Sequence, residues 1–307
     1  MSNIPDTVDG STIVITGASS GFGRGTALAL AEQGAKVVVA ARRTDVLDGL
    51  VEEIKAAGGS ALAVTTDVSD ADQVRALARA AQDAFGRIHV WINNVGIGAL
   101  GNFWEIPTDV HARVIDVNVN GYIYGSHVAL NHFIEQGGGT LVNVGSVDSE
   151  IPIAMQNSYA ASKAAVLSLG RSLNTELRMA GHGDTIRVAT VMPWGADTPW
   201  FEHAANYMGH APRLPMLDGP EVVVKTIVKA CTKPDEEMPA GIKAFGATLS
   251  HKLAPDLTER LSGEIFKRDS MRGEPRPITQ GAVFEPVPEG TTVEGNVRER
   301  MEREDAA

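Results

Sequence analysis

Cysteine is nearly absent from these 307 residues: Cys231 stands alone. A single thiol excludes an intrachain disulfide and any zinc cluster built on cysteines, and it suits a reducing compartment. Basic charge is short as well. Lysine and arginine total 27 against 38 aspartates and glutamates, a formal net charge of -11, so there is no footprint for a nucleic-acid backbone and no nucleic-acid partner is expected. No stretch reaches the roughly 18 apolar residues that a membrane span requires. The opening MSNIPDTVDG has neither the basic start nor the apolar centre of a signal peptide. These absences predict a soluble, cytoplasmic protein with no membrane contact and no bound metal.

What is present is ordinary globular composition, 43% hydrophobic and 21% charged, arranged in alternation. STIVIT, AKVVVAA, SALAVTT, IHVWINN, GTLVNVGS and TIRVATVM are short β-branched runs, separated by longer segments with apolar spacings of three and four. Strands that are apolar almost throughout must be buried on both faces, which requires helices on each side of a parallel sheet. The predicted fold is a Rossmann-like doubly wound α/β sheet of about six or seven parallel strands. We expect a short lead over 1–10, one domain over 11–250 and an extension over 251–307. Within the domain, 194–216 carries aromatics, His and Pro without a clean period, which fits an irregular cover over a site or a long surface loop. The extension opens with a helix, SHKLAPDLTERLSGEIFKR, and continues with four prolines between Pro275 and Pro288. That composition forbids an ordinary core element, so the tail either wanders in solvent or lies extended over this chain or a neighbour. Its apolar AVF and PVP favour partial docking.

The first strand runs into TGASSGFG, Thr16 to Gly23, and then a helix. Gly17, Gly21 and Gly23 would permit a tight turn, close approach of backbone to phosphate and close helix packing, with Ser19, Ser20 and Phe22 between them. The helix N-terminus would offer free N–H groups to a pyrophosphate. The second strand ends in Ala41 where NAD-binding folds usually carry an acid, followed by Arg42 and Arg43. Arginine forks match a 2′-phosphate, so the implied cofactor is NADP(H) in preference to NAD. They could instead merely cap a surface strand end. Asp67 and Val68 close the third strand, where they could meet an adenine, or Asp67 or Ser69 could cap the next helix. Asn94 and Gly96, in NNVG, end the fourth strand. In NSYAASKAAV, Tyr159 and Lys163 lie one helical turn apart, as a surface pair or as a proton donor beside the cation that tunes it.

Taken in order, TGASSGFG, NNVG, the asparagine of DVNVNG, GS followed by YAASK, and MPWGADTP resemble the short-chain dehydrogenase/reductase family over roughly residues 10–232. The resemblance implies Tyr159 as proton donor, Lys163 as its partner, Ser146 as the substrate-orienting hydroxyl and Asn118 as the amide that holds a water near the lysine. It also implies Gly17, Ser19, Gly21, Phe22 and Gly23 for the phosphates, Asp67 and Val68 for adenine, Asn94 beside the ribose, and Pro193 and Thr198 near the nicotinamide. A free tyrosine ionises near pH 10, so an adjacent cation is needed to stabilise phenolate, and Lys163 can supply it.

Three departures stand out. Trp194 replaces the family's usual glycine and predicts a narrowed or aromatic-walled pocket, with Trp200 in the same segment. Asp148 stands two residues past Ser146, in a place that usually borders the substrate, where its carboxylate could bind a hydroxyl or amine or could merely bond to its own loop. The C-terminus extends past the usual last strand. The expected function is transfer of a hydride between NADP(H) and a small to medium apolar ketone or secondary alcohol, in a homodimer or higher homo-oligomer, with the helices near 109–136 and 157–180 suited to the dimer interface. The alternative is a catalytically weak NADP(H)-sensing regulator or scaffold.

Overall fold

All six strand runs form strands, and a seventh joins them. In the computed structural model, which describes residues 7–306, they are β1 (Thr12–Thr16), β2 (Lys36–Ala41), β3 (Ser60–Thr65), β4 (Val90–Asn93), β5 (Gly139–Val144), β6 (Ile186–Pro193) and β7 (Glu237–Ala240). Residues 1–6 of the expected lead and Ala307 lie outside the described residues. All pairings are parallel, in the order β3-β2-β1-β4-β5-β6-β7. The helices are α1 (Gly21–Glu32), α2 (Thr44–Ala56), α3 (Ala71–Phe85), α4 (Thr108–Ile115), α5 (Gly121–Gln136), α6 (Asn157–Met179), the single turn α7 (Trp200–His203), α8 (Pro220–Thr232), α9 (Gly241–Leu253), α10 (Pro255–Ser270) and α11 (Val297–Ala306).

Alternate residues of each strand feed two cores. Ile13, Ile15, Val37 and Val39 pack with Leu30, Leu47, Leu50 and Ile227 of α1, α2 and α8. Val14, Val38, Trp91 and Leu141 pack with Val74, Leu77, Phe133 and Leu177 of α3, α5 and α6. The continuous apolar runs are therefore explained by burial on both faces. The chain lays β1, β2 and β3 outward and then crosses back to place β4 on the other side of β1. Strand order reverses there, and a crevice opens at the carboxyl ends of β1 and β4.

Three details differ from expectation. The N-cap of α3 is Asp70, which accepts from the N–H groups of Asp72 and Gln73; Asp67 and Ser69 do not cap it. The helix expected over 250–268 breaks at Ala254, because Pro255 cannot continue α9 and instead sits at the first turn of α10. The tail docks on this chain, the alternative that its apolar AVF favours, and what differs from expectation is that it ends in a helix. Val283 is fully buried beside Ile106, Val110 and Val114, and the final mixed-charge run forms α11. Asp197 caps that helix, accepting from the N–H of Val297 at 2.8 Å and of Arg298 at 3.3 Å. Arg213, 1% exposed, holds its far end by pairing with Asp305 at 2.8 Å and with Glu304. The cover segment is mostly irregular but tied down, with Ala205–Asn206 pairing alongside Ala99–Leu100.

Candidate active site

At the end of β1 the chain turns through Gly17 (φ +70°) and Gly21 (φ +54°). Both lie in the left-handed region that glycine reaches without strain. Gly23 answers a different need. A Cβ there would stand 2.2 Å from the Gly17 carbonyl oxygen and 2.6 Å from Asn94 Nδ2. Asn94 in turn stitches the ends of β4 and β1 together: its N–H donates to Thr16 Oγ1 at 3.1 Å, and Nδ2 donates to the carbonyls of Thr16 at 3.1 Å and Gly17 at 3.2 Å. The result is a cradle at the N-terminus of α1, shaped for an anion, in which the Gly21 N–H donates to the Thr292 carbonyl at 2.9 Å.

Beyond the cradle lie Arg42 and Arg43. Neither forms an ion pair with a carboxylate among the described residues. Instead Arg42 donates to the carbonyls of Ala282 at 2.7 Å and Phe284 at 2.6 Å. Arg43 donates to those of Val287, Glu289 and Gly290 and to Ser19 Oγ at 3.1 Å. Burial lowers the pKa of both guanidiniums. Asp67 is engaged too, accepting from the Ser69 hydroxyl at 2.7 Å and pairing with Arg113 at 2.8 Å. Burial alone would raise its pKa, but the Ser69 and Arg113 interactions outweigh it and hold the carboxyl low.

At the other end of the crevice, Lys163 is 2% exposed. Its Nζ donates to the Val144 carbonyl at 2.8 Å and reaches the Tyr122 hydroxyl at 3.4 Å. It also lies 5.7 Å from the centroid of the Tyr159 ring. Gly96 leaves room for it, since a Cβ there would come to 3.3 Å from Nζ. Burial drives Lys163 down to about 7, with Asp148 opposing. Asp148, 4% exposed, is pushed up to about 7 by burial, with Lys163 opposing. Its carboxylate makes no hydrogen bond to the described residues; only its backbone N–H bonds its own loop, donating to Ser146 Oγ at 3.1 Å.

Two expectations need correction here. Tyr159 is not held low in the free chain: burial, and then Asp148, push its phenol up, against a hydrogen bond from Ser146. Asn118 spends both side-chain N–H groups on the Ile97 carbonyl and Ser162 Oγ, each at 2.9 Å, while Oδ1 accepts from the Ile97 N–H at 3.0 Å. That amide braces the loop after β4 from a π-helical turn, Asp116–Asn120, so its N–H groups are not free for a water.

One cavity of about 240 Å³ joins both ends. Every expected site residue lines it except Gly23 and Asn118, which shape it from behind. Trp200, more than Trp194, meets the tyrosine, with ring centroids 5.0 Å apart at 55°. Trp194 anchors its indole N–H on the Met216 carbonyl at 3.2 Å. Tyr122, Arg113, Asp197 and the tail were missed. Tyr122 had a signal, one turn past Asn118 and able to reach the same lysine.

The match to the family model described as short chain dehydrogenase covers residues 11–207. The chain belongs to the short-chain dehydrogenase/reductase family. It is 34% identical over 277 residues to YxnA of Bacillus subtilis, named an uncharacterized oxidoreductase, covering 89% of this chain and 77% of that one. Among solved structures, a short-chain dehydrogenase/reductase from Burkholderia phymatum in complex with NAD superposes with TM-score 0.72 at 29% identity, covering 82% of this chain and 96% of that one. A metagenomic short-chain oxidoreductase in complex with NADP gives 0.64 at 26% identity, with coverage of 76% and 99%. This short-chain dehydrogenase/reductase is thus an oxidoreductase with a nicotinamide dinucleotide site. Among its described residues no helix is long and apolar enough to cross a membrane.

Proposed function

We propose that this protein is an NADP(H)-dependent reductase of a small to medium ketone, reversible as a secondary-alcohol dehydrogenase, with Tyr159 as acid and base. The observation that carries the reading is the convergence of Tyr159, Lys163 and Ser146 on one end of a cavity whose other end holds the glycine cradle and two arginines. The nicotinamide, when bound, supplies or takes up the hydride. Tyr159 gives its proton to the oxygen of the reduced carbonyl, and Ser146 steadies that oxygen while its charge develops. Lys163 stabilises the phenolate that remains. Because burial raises the Tyr159 phenol, the free chain carries the protonated form that reduction requires near neutral pH, and release of that proton depends on Lys163.

NADP(H) over NAD is supported by Ala41 in the place of the acid and by two guanidiniums whose hydrogen bonds go only to neutral acceptors. Their deficit suits a phosphate. On the substrate side, Trp194, Trp200, Phe201 and Leu214 favour an apolar body, and the unpartnered Asp148 favours a hydroxyl or amine near the reacting carbon. A panel of plain and hydroxylated ketones, followed with NADPH and with NADH, tests this. Turnover with NADPH well above NADH is expected. For hydroxylated members kcat/KM should fall as pH drops below about 7, because protonation removes the anionic acceptor. Asp148→Asn, which also removes a charge beside Lys163 and Tyr159, should cost these members roughly ten- to hundredfold more than the plain ketones and flatten their extra pH dependence. Binding of NADPH without turnover of any member would favour the sensing alternative.

The homodimer expectation has surface to support it: Ile115, Ile123 and Ile134 are exposed on α4 and α5. Sedimentation should give about twice the 32.5 kDa of one chain, and a monomer at micromolar concentration would refute it.

A further inference from the structure

We infer that Gly281–Thr292 is the roof of the dinucleotide site, a strap that must open for the dinucleotide to enter or leave. The inference rests on the reading that the crevice holds a nicotinamide dinucleotide. Ala282, Pro286 and Val287 share a cavity wall with Ser19, Arg43 and Val68, so the strap closes the end of the crevice furthest from Tyr159. It contains no regular structure, and its backbone carbonyls would be left without partners there. They are satisfied by the arginines of the site instead. Arg42 takes Ala282 and Phe284, Arg43 takes Val287, Glu289 and Gly290, and Arg113 reaches Val283 at 3.4 Å. The Thr292 carbonyl accepts from the Gly21 N–H at 2.9 Å, at the mouth of the cradle.

A roof and a competitor would use these arginines differently. A segment built to exclude a phosphate would present carboxylates, yet Glu285 and Glu289 are exposed and form no ion pair with either arginine. The strap offers neutral carbonyls, which hold the guanidiniums in place and leave their charges for an anion. Its ends are fixed by apolar burial and a helix cap, whereas its middle is held by polar bonds from Arg43 and His203. Val283 is buried in an apolar cluster on one side. On the other, α11 is latched to Asp197, the neighbour of Thr198 in the cavity wall. Between them residues 285–290 are half-buried or exposed. A segment with few apolar contacts between two firm anchors opens locally without unfolding the domain.

Dinucleotide exit should therefore wait on the strap. In the full-length protein, saturating NADP⁺ should slow amide hydrogen exchange across Gly281–Thr292 by about tenfold. Pro286→Gly with Val287→Gly, at exposed or half-buried positions, loosens the strap while both anchors stay. It should speed NADPH release, read as fluorescence loss on displacement, by about tenfold. Indifference of that exchange to bound NADP⁺ would overturn the inference, as would release from the folded double variant at the unaltered rate. Tighter NADPH binding after removal of 274–307 would make the segment a competitor and also overturn it. Failure of the unaltered protein to bind NADPH or NADH at all would instead remove the dinucleotide reading on which the roof depends.

Discussion

Tyr159→Phe is expected to lower kcat by about 10²–10⁴-fold, the range of general acid–base catalysis by one side chain, while NADPH binds nearly as before. The ring is worth keeping in the comparison because it does separate work: it packs 5.0 Å from Trp200, and phenylalanine preserves that contact. Only the hydroxyl is lost, so stability should change by less than about 1.5 kcal/mol. The pH profile distinguishes a lost proton donor from a disturbed pocket. Burial raises the phenol above its ordinary value, so below that value the base form is scarce and grows about tenfold per pH unit. Alcohol oxidation by the unaltered chain should accordingly climb with unit slope as pH rises, whereas carbonyl reduction, which needs the protonated phenol, should not. The phenylalanine variant should lose the slope with the rate. A variant that kept the slope would show that another group carries the proton, and Lys163, held near 7 by the same burial, would be the first to examine.

How much of this could be read beforehand depended on whether the physical cause was local. The strands of the sheet were legible because burial on both faces forces almost every residue to be apolar, and the glycine cradle because its turn requires positive φ within a few residues of a strand end. Tyr159, Lys163 and Ser146 were legible through the ordered motifs of the family resemblance and not through their own spacing, and their charge state was not legible. That depends on Asp148 and Lys163 sharing one buried volume, which no spacing reports. The tail was least legible. A proline-rich, aperiodic run has the composition of a disordered segment, and the groups that satisfy its carbonyls, Arg42 and Arg43, lie more than 200 positions away, as the separations of 242 and 244 residues to Phe284 and Val287 attest. The same two arginines had been readable as cations awaiting an anion, yet nothing local said that backbone would approach them first. Pro255 is a different case, since its helix-breaking chemistry was in plain view within a run whose apolar spacing continued past it.

Gly23→Ala should damage both the cradle and the fold. The added carbon would meet the Gly17 carbonyl oxygen at 2.2 Å, its carbon at 2.8 Å and Asn94 Nδ2 at 2.6 Å. Two of these atoms are backbone in a turn already committed to positive φ at Gly17, so they cannot rotate aside as a flexible side chain would. Relief requires α1 to move off the end of β1, and with it the bonds from Asn94 to Thr16 and Gly17. Overpacking of this kind costs about 1–3 kcal/mol, read as a melting point lower by several degrees. Function should suffer more than stability, because displacement of positioning groups by about 1 Å costs on the order of a hundredfold in kcat/KM. Gly21→Ala is the control that separates space from backbone conformation: its nearest clash candidate, Thr198 Cβ, is 3.6 Å away, so only the strain of φ +54° remains, about 1–2 kcal/mol, with a much smaller loss of dinucleotide affinity. If Gly23→Ala bound NADPH within twofold of the unaltered chain and melted within a degree of it, the close approach of α1 to the turn would not be what shapes the cradle.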